Sequence, residues 1–344
     1  MSHTLGKSLI PIIGLFLVIF AASGGRAAEE LNIYSARHYD TDLVLYERFT
    51  EETGIKLNLI EGKSEELLAR LAQEGEFSPG DVLLTVDAGR LWRAEQAELF
   101  APVTSPVINE RVPAHLRHPD GLWFGISKRA RVFIYNKEAG APVGLTTYSD
   151  LADPSLQGQV CVRSSSNIYN ISLLASIVAH DGAEAAESWA EGVVANFARD
   201  PQGNDTAQIR AVAAGECRVG IANTYYIARL MRSEAEADRA VAEKIGVVFP
   251  EQGGRGTHVN ISGAGLLAHA PNKENALRFL EFLTSDWAQR LLADGNNEYP
   301  AVTAVNSEGP VTTLGSFEED EINASALGEN QSLAIRIYDR AGWR

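Results

Sequence analysis

The chain has 344 residues and a formal net charge of −15, with 45 acidic against 30 basic side chains. An excess of negative charge disfavours binding to nucleic acid or to an anionic membrane surface. Hydrophobic residues make up 45% of the chain, enough for sizeable cores, and the length predicts two domains.

The N-terminus has the three parts of a secretory signal peptide. Lys7 supplies a positive charge, residues 9–22 form an apolar run, and Gly25-Arg26-Ala27 offers small residues where a signal peptidase cleaves. The apolar run is shorter than the ~20 residues that a spanning helix needs. A retained N-terminal anchor is the alternative. We therefore predict that residues 1–27 are removed and that the mature protein is periplasmic.

Short β-rich runs alternate with helical patterns in the first part of the mature chain. Strands are predicted at 31–35, 56–60 and 81–86, and helices at 42–53, 64–73 and 88–97. Gly54 ends the first helix, and Ser64 caps the second. Such alternation implies crossover connections and a mostly parallel sheet.

A second series of elements follows two strand-like runs at 123–127 and 131–136. Strands are predicted at 160–163, 218–223 and 245–249, and helices at 170–180, 183–198 and 206–214. The chain then returns near 259–268 and is mostly helical from Lys273. We expect an α/β protein with two lobes. The first comprises 28–126 and about 260–344, the second about 127–259, with hinge strands near 124–131 and 256–263.

Two cysteines, Cys161 and Cys217, stand near the starts of predicted strands. An even number of cysteines in an exported chain predicts a disulfide, which neighbouring strands would allow. Closing that loop would stabilise the fold by about 4 kcal/mol in the chain-entropy model. A thiol metal site is the weaker alternative because there is no CxxC motif.

Tyrosines follow three of the predicted strands. His38-Tyr39 follows the first strand, Tyr169 follows 160–163 through a serine-rich loop, and Tyr225-Tyr226 follows 218–223. Ligands of open α/β sheets gather outside the carboxyl ends of strands, so these loops converge on one cleft. Phenolate oxygens and an imidazole suit a hard, highly charged cation. Taken alone, the tyrosine pair is more typical of packing residues at a strand end, and it is the joint placement of four tyrosines and a histidine that favours a site.

Three segments carry a family resemblance: Tyr34-Ser-Ala-Arg-His-Tyr39, Asn223-Thr-Tyr-Tyr226 and Asn296-Asn-Glu-Tyr-Pro-Ala-Val302. In these segments the chain resembles the ferric-iron-binding periplasmic proteins of ABC importers. The resemblance covers essentially the whole mature chain. The resemblance implies the two-lobed, type II periplasmic binding protein fold. It also implies Fe(III) as the transported ligand. Its implied ligands are Tyr39, Tyr169, Tyr225 and Tyr226, with His38 as a fifth ligand or a close neighbour.

One position departs from part of that family. Relatives that hold iron with two tyrosines also use a glutamate after the threonine that ends the third strand, together with a phosphate. Here Val86 follows Thr85, and a valine side chain has no ligand atom. The chain therefore resembles the tyrosine-rich subgroup, in which water or a small anion would complete the shell.

Charge balance predicts arginines around the tyrosines. Four phenolates and Fe(III) leave one negative charge, which a nearby cation would offset. Arg37 precedes His38, Arg129 lies in the predicted crossing segment, and Arg229 lies one helical turn beyond the tyrosine pair. The alternative for each arginine is an ordinary salt bridge at the surface or hinge.

The predicted activity is capture and delivery rather than catalysis. The partners would be an ABC permease and its ATPase, with the binding protein acting as a soluble monomer that does not bind nucleic acid. Alternatives are a binding protein for a polyamine or an oxyanion, and iron sensing or storage. A secreted hydrolase using residues 164–166 is a further alternative, although no GxSxG motif surrounds these serines.

Overall fold

The structure is a computed structural model that describes Met1 and residues 29–37 and 39–344. The predicted signal peptide, apart from Met1, and His38 lie outside the described residues. Within the described ranges, no helix has both the length and the apolar character needed to cross a bilayer.

The described residues form a curled mixed sheet covered by helices. The strands are β1 (Glu30–Ser35), β2 (Lys56–Glu61), β3 (Val82–Val86), β4 (Phe100–Ala101), β5 (Phe124–Asn136), β6 (Val160–Cys161), β7 (Val219–Asn223), β8 (Ile245–Val248), β9 (Val259–Leu267) and β10 (Tyr299–Pro300). The helices are α1 (Asp40–Thr53), α2 (Ser64–Glu74), α3 (Ala88–Gln96), α4 (Pro106–Arg111), α5 (Ile168–Ala195), α6 (Asp205–Ala213), α7 (Thr224–Met231), α8 (Glu236–Lys244), α9 (Lys273–Phe282), α10 (Asp286–Asn296), α11 (Ser325–Glu329) and α12 (Gln331–Ala341).

The first half of the sheet contains the predicted parallel strands. β1 pairs in parallel with β2 and β3, and β3 pairs antiparallel with the returning strand β9. Helices α1 and α2 make the crossovers that parallel neighbours require. Gly54 ends α1 in the left-handed conformation (φ 73°), and its N–H donates to Thr50 O at 2.8 Å. The α/β prediction for this half is confirmed.

β5 joins the two halves of the sheet. Its first part pairs with β9, whereas residues from Arg131 onward pair with β7 and β8. The sequence predicts two separate runs here, but the structure has one strand of 13 residues. Lys128, Arg129 and Arg131 interrupt the apolar pattern, yet all three are buried and paired with carboxylates.

The second half contains the rest of β5 with β6, β7 and β8, and the helices α5 to α8. α5 spans both helices that were predicted at 170–180 and 183–198. It kinks between them at Gly182, whose backbone is non-helical (φ 83°, ψ 171°). Glycine populates positive φ readily, which explains why the break falls at this residue.

The last helix packs on the second half. Tyr338 and Trp343 lie in a core with Trp189 of α5, and the Tyr338 hydroxyl donates to Asn170 O at 2.9 Å. The preceding helix α11 contacts both α3 and α5. The C-terminal segment therefore contacts both halves, whereas the sequence interpretation assigns it to the first lobe.

Cys161 and Cys217 form a disulfide with a Cα–Cα distance of 5.8 Å. It links β6 to the residues that enter β7, and these strands are parallel neighbours. The predicted disulfide is therefore present, and neither thiol is free to form the alternative metal site.

Candidate metal centre

The four tyrosines lie at the N-termini of three helices. Tyr39 is the N-cap residue of α1, Tyr169 lies in the first turn of α5, and Tyr225 and Tyr226 lie in the first turn of α7. At α5 the Asn167 side chain caps the helix by accepting from Tyr169 N at 3.1 Å. Helix N-termini carry partial positive charge, which favours an anionic phenolate over a neutral phenol.

The structure brings these tyrosines together. The Tyr225 hydroxyl donates to the Tyr169 hydroxyl oxygen at 3.2 Å. The rings of Tyr225 and Tyr226 stack with centroids 4.2 Å apart. Tyr39 interacts electrostatically with Tyr169 and Tyr225 from the first half of the sheet. Both halves of the sheet therefore supply phenols to one cluster.

Burial makes the phenols hard to ionise in the absence of a cation. Desolvation raises the pKa of Tyr39, and the nearby Glu298 carboxylate raises it further. Burial also raises the pKa of Tyr169 and of Tyr225, each with added repulsion from neighbouring tyrosines. These phenols are protonated at neutral pH. A metal ion that binds them must displace the protons.

Two of the predicted arginines lie over the tyrosine rings. The Arg37 guanidinium is 4.9 Å from the ring centroid of Tyr39, and that of Arg229 is 5.6 Å from both Tyr225 and Tyr226. Arg37 also forms a buried ion pair with Asp42, with Nε 2.8 Å from Oδ2. The charge of Arg37 opposes the rise in the pKa of Tyr39 and so favours its phenolate.

Arg129, the third predicted arginine, is buried on β5. Its Nη2 donates to Glu298 Oε1 and to Ser262 Oγ, both at 2.8 Å, whereas Nε and Nη1 have no hydrogen-bond partner among residues 29–37 and 39–344. Burial alone would lower the pKa of Arg129, but the Glu298 carboxylate and the tyrosines raise it, so it stays charged. Its charge lowers the pKa of Tyr39, Tyr169 and Tyr225.

The structure adds residues that sequence reasoning missed. Glu298 is fully buried and accepts hydrogen bonds from Ser127 Oγ and Arg129. Arg163 lies 5.6 Å from the ring centroid of Tyr169. Asp205 holds Arg163 and Arg131 through N–O distances of 3.0 Å each. A glutamate inside the resemblance segment 296–302 was the available signal for Glu298. The sequence contains no comparable signal for Asp205 and Arg163, because 42 residues separate these two partners.

The other features singled out in the sequence do not form a competing site in the described residues. The hydroxyls of Ser164 and Ser166 hydrogen-bond to each other at 2.9 Å, and no base among the described residues pairs with them. Among residues 29–37 and 39–344, no three His, Cys, Asp or Glu side chains converge as metal ligands. The phenol cluster is the group with the hard oxygen donors that a trivalent ion prefers.

Residues 78–313 match the bacterial extracellular solute-binding proteins, and the chain belongs to this family. It is 54% identical to iron uptake protein A1 of Synechocystis over 92% of this chain and 88% of the relative. The Fe(3+)-binding periplasmic protein of Serratia marcescens is 28% identical over 95% and 94% of the two chains.

Solved structures give the same fold. FutA (IdiA) of Trichodesmium, in complex with iron and citrate, matches with a TM-score of 0.90 and 54% identity. Apo FutA2 of Synechocystis matches with a TM-score of 0.88 and 51% identity. Each match covers 92% of this chain and all of the other. The predicted two-lobed, type II periplasmic binding protein fold is confirmed.

Proposed function

We propose that the protein captures ferric iron in the periplasm and delivers it to an ABC importer. The observation that carries this proposal is the meeting of Tyr39, Tyr169, Tyr225 and Tyr226 from both halves of the sheet, with Tyr225 and Tyr169 joined at 3.2 Å. The similarity to iron uptake and ferric-iron-binding proteins supports the same conclusion.

The four phenols are the proposed ligands of Fe(III). Three of them lie on α5 and α7 in the second half, and Tyr39 lies on the first. His38, which lies outside the described residues, is a fifth ligand or a close neighbour in this proposal. Water or a small anion completes the shell.

Capture proceeds by closure of two lobes around the ion. The proposed first lobe comprises 28–126 and about 260–344, and the second about 127–259, with hinge strands near 124–131 and 256–263. β5 supports this division because it runs continuously from one half of the sheet to the other. Iron first binds the tyrosines of the second lobe, and closure then adds Tyr39 from the first.

Charge compensation accompanies binding. Each ligand phenol loses its proton to solvent, and the cluster acquires negative charge that Fe(III) does not fully cancel. Arg37, Arg129 and Arg229 offset this charge, with Arg163 as a further contributor. The Nε and Nη1 nitrogens of Arg129, which have no partner in the described part of the chain, then donate to phenolate oxygens, which removes the cost of leaving buried donors unpaired.

Delivery needs no chemical step by this chain, which acts as a carrier and not as an enzyme. In the proposal the protein is a soluble monomer, and residues 1–27 are a cleaved signal peptide. The closed, loaded form docks on a permease, whose ATPase drives the transport cycle. Opening of the lobes removes Tyr39 from the ion and releases it.

Titration of purified apoprotein with Fe(III) tests the proposal. Iron bound by phenolates gives a visible charge-transfer band, and we expect Tyr225→Phe/Tyr226→Phe to abolish it. Tyr135→Phe is the matched control. Tyr135 lies near the C-terminal end of β5, where it packs against Gly246 of β8 and is not a proposed ligand. A colourless titration of the wild type would refute tyrosinate capture, and an undiminished band in the double variant would exclude Tyr225 and Tyr226 from the ligand set.

A further inference from the structure

A buried hydrogen bond connects the two halves of the molecule beside the tyrosine cluster. The Ser172 hydroxyl donates to Asp87 Oδ1 at 2.8 Å. Asp87 follows β3 and is the N-cap of α3, in the first half. Ser172 lies on α5 in the second half, one helical turn beyond Tyr169. Neither Asp87 nor Ser172 is exposed to solvent.

Asp87 is fixed on the first half by further contacts. Its Oδ1 accepts from Gly89 N and its Oδ2 from Asn260 Nδ2, both at 2.9 Å. Its own N–H donates to Ile261 O at 2.8 Å, which ties it to β9. Asp87 also has a positive φ of 78°, which is uncommon for a residue other than glycine. A carboxylate held in this way is a rigid acceptor.

Ser172 transmits this rigidity to an iron ligand. Residues i and i+3 share a helix face, so Ser172 and Tyr169 lie on the same side of α5. The Tyr169 hydroxyl in turn accepts from Tyr225 on α7. The contact with Asp87 therefore fixes the first turn of α5, and with it one side of the phenol cluster, against the first half.

Because the Asp87 carboxylate is buried, it depends on the hydrogen bond that Ser172 donates. Desolvation raises the pKa of Asp87, whereas the hydrogen bond from Ser172 opposes that rise. A buried carboxylate that loses a donor is left under-solvated, and the closed arrangement loses stability relative to one in which water reaches the group.

We propose that Ser172 is a positioning residue that holds Tyr169 in the closed site through Asp87 and so slows iron release. The inference rests on the proposed iron-binding function. Ser172 itself does not ligate the ion. Hydrogen bonds to charged groups typically change an equilibrium by a factor of about 10 to 150 when lost. The loss should appear mainly in dissociation, because the encounter of iron with the open site does not involve the bond.

Ser172→Ala tests the proposal. Apoprotein is loaded with Fe(III), mixed with excess chelator, and followed by loss of the tyrosinate band. We expect release about 10- to 100-fold faster than in the wild type, with an unchanged band and an association rate within about twofold. Ser166→Ala is the control, because Ser166 is exposed in the loop before α5 and its hydroxyl bonds to that of Ser164.

Small-angle scattering of the iron-loaded protein, in which the proposal has the two lobes closed, gives a second readout. If Ser172 holds the halves together, Ser172→Ala should have a larger radius of gyration than the wild type and Ser166→Ala. Wild-type release and wild-type dimensions in Ser172→Ala would overturn the positioning role while leaving iron capture intact. A wild type without a tyrosinate band would instead overturn the function on which the role rests.

Discussion

Tyr225 donates a hydrogen bond to the hydroxyl oxygen of Tyr169 across 3.2 Å, although 56 residues separate them in the chain. The bond joins the first turn of α7 to the first turn of α5. It requires at least one protonated phenol, so a cation that takes both oxygens as phenolates must replace the shared proton. A proton therefore joins the two phenols in this arrangement, and an ion bound to both oxygens would displace it.

Iron affinity should fall on acidification. Burial raises the pKa of Tyr39, Tyr169 and Tyr225, so these phenols stay protonated throughout the neutral range, and each one that binds iron releases a proton. Lower pH therefore favours the iron-free form, by up to about tenfold per pH unit for each proton released. Competition with citrate at pH 6, 7 and 8 measures the effect. Affinity that does not change over this range would contradict phenolate ligation.

The stability of the apoprotein should fall at alkaline pH. Burial raises the pKa of Tyr39, Tyr148 and Tyr338 above the value of about 10 that an unfolded chain has. Between these values the unfolded state binds fewer protons than the folded state, so the free energy of unfolding decreases as pH rises. The stabilising contribution is complete below pH ~10 and is lost above it.

Urea unfolding between pH 8 and 11 checks this trend. In Tyr39→Phe the free energy of unfolding should decrease less steeply with pH, because one of the groups that resist ionisation is removed. The difference in slope corresponds to at most one bound proton. Both cysteines are in the disulfide, so no free thiol starts an exchange reaction at high pH. Stability that is constant or rises through this range would show that the phenols are accessible to solvent.

The sequence predicts the fold through its periodic segments. Alternation of strands and helices, with Gly54 ending α1, leads to the α/β fold, and the return strand predicted at 259–268 is β9. The periodic pattern does not predict that β5 is one continuous strand. Its buried Arg129 and Arg131 look like a break in a strand until their partners Glu298 and Asp205 are known.

The candidate site likewise contains residues that the sequence predicts and residues that it does not. The tyrosines were found because each follows a strand, which is a local signal. The groups behind them depend on long-range side-chain pairs: Glu298 lies 169 residues from Arg129, and Ser172 lies 85 residues from Asp87. No periodicity or short motif encodes such pairs, and the propensities of the residues do not distinguish them from surface polar groups.

Removing Arg129 should lower both iron affinity and stability. In Arg129→Met the Glu298 carboxylate stays buried without its cation, which typically costs about 3–5 kcal/mol of unfolding free energy. The loss of positive charge also raises the pKa of Tyr39, Tyr169 and Tyr225 further, so proton release becomes less favourable. Urea unfolding and iron titration measure the two effects separately.

The double variant Arg129→Met/Glu298→Gln separates charge balance from packing. Neutralising both partners removes the unpaired carboxylate, so we expect most of the lost stability to return. Iron affinity should stay below that of the wild type, because the cation beside the tyrosines is still absent. Full recovery of affinity in the double variant would show that Arg129 acts on the site only by neutralising Glu298.

Loss of the disulfide should affect stability more than iron binding. Cys161→Ser/Cys217→Ser opens a link between residues separated by 56 positions, which is expected to cost about 4 kcal/mol in the chain-entropy model. The bond constrains β6 and β7, which lead to Tyr169 and to Tyr225 and Tyr226, but neither cysteine is a proposed ligand. Because the model assigns the cost to the unfolded chain, the folded site should keep its tyrosinate band and its affinity within a few fold. Iron binding that is lost in the variant while the protein is still folded would show that the disulfide maintains the geometry of the phenols themselves.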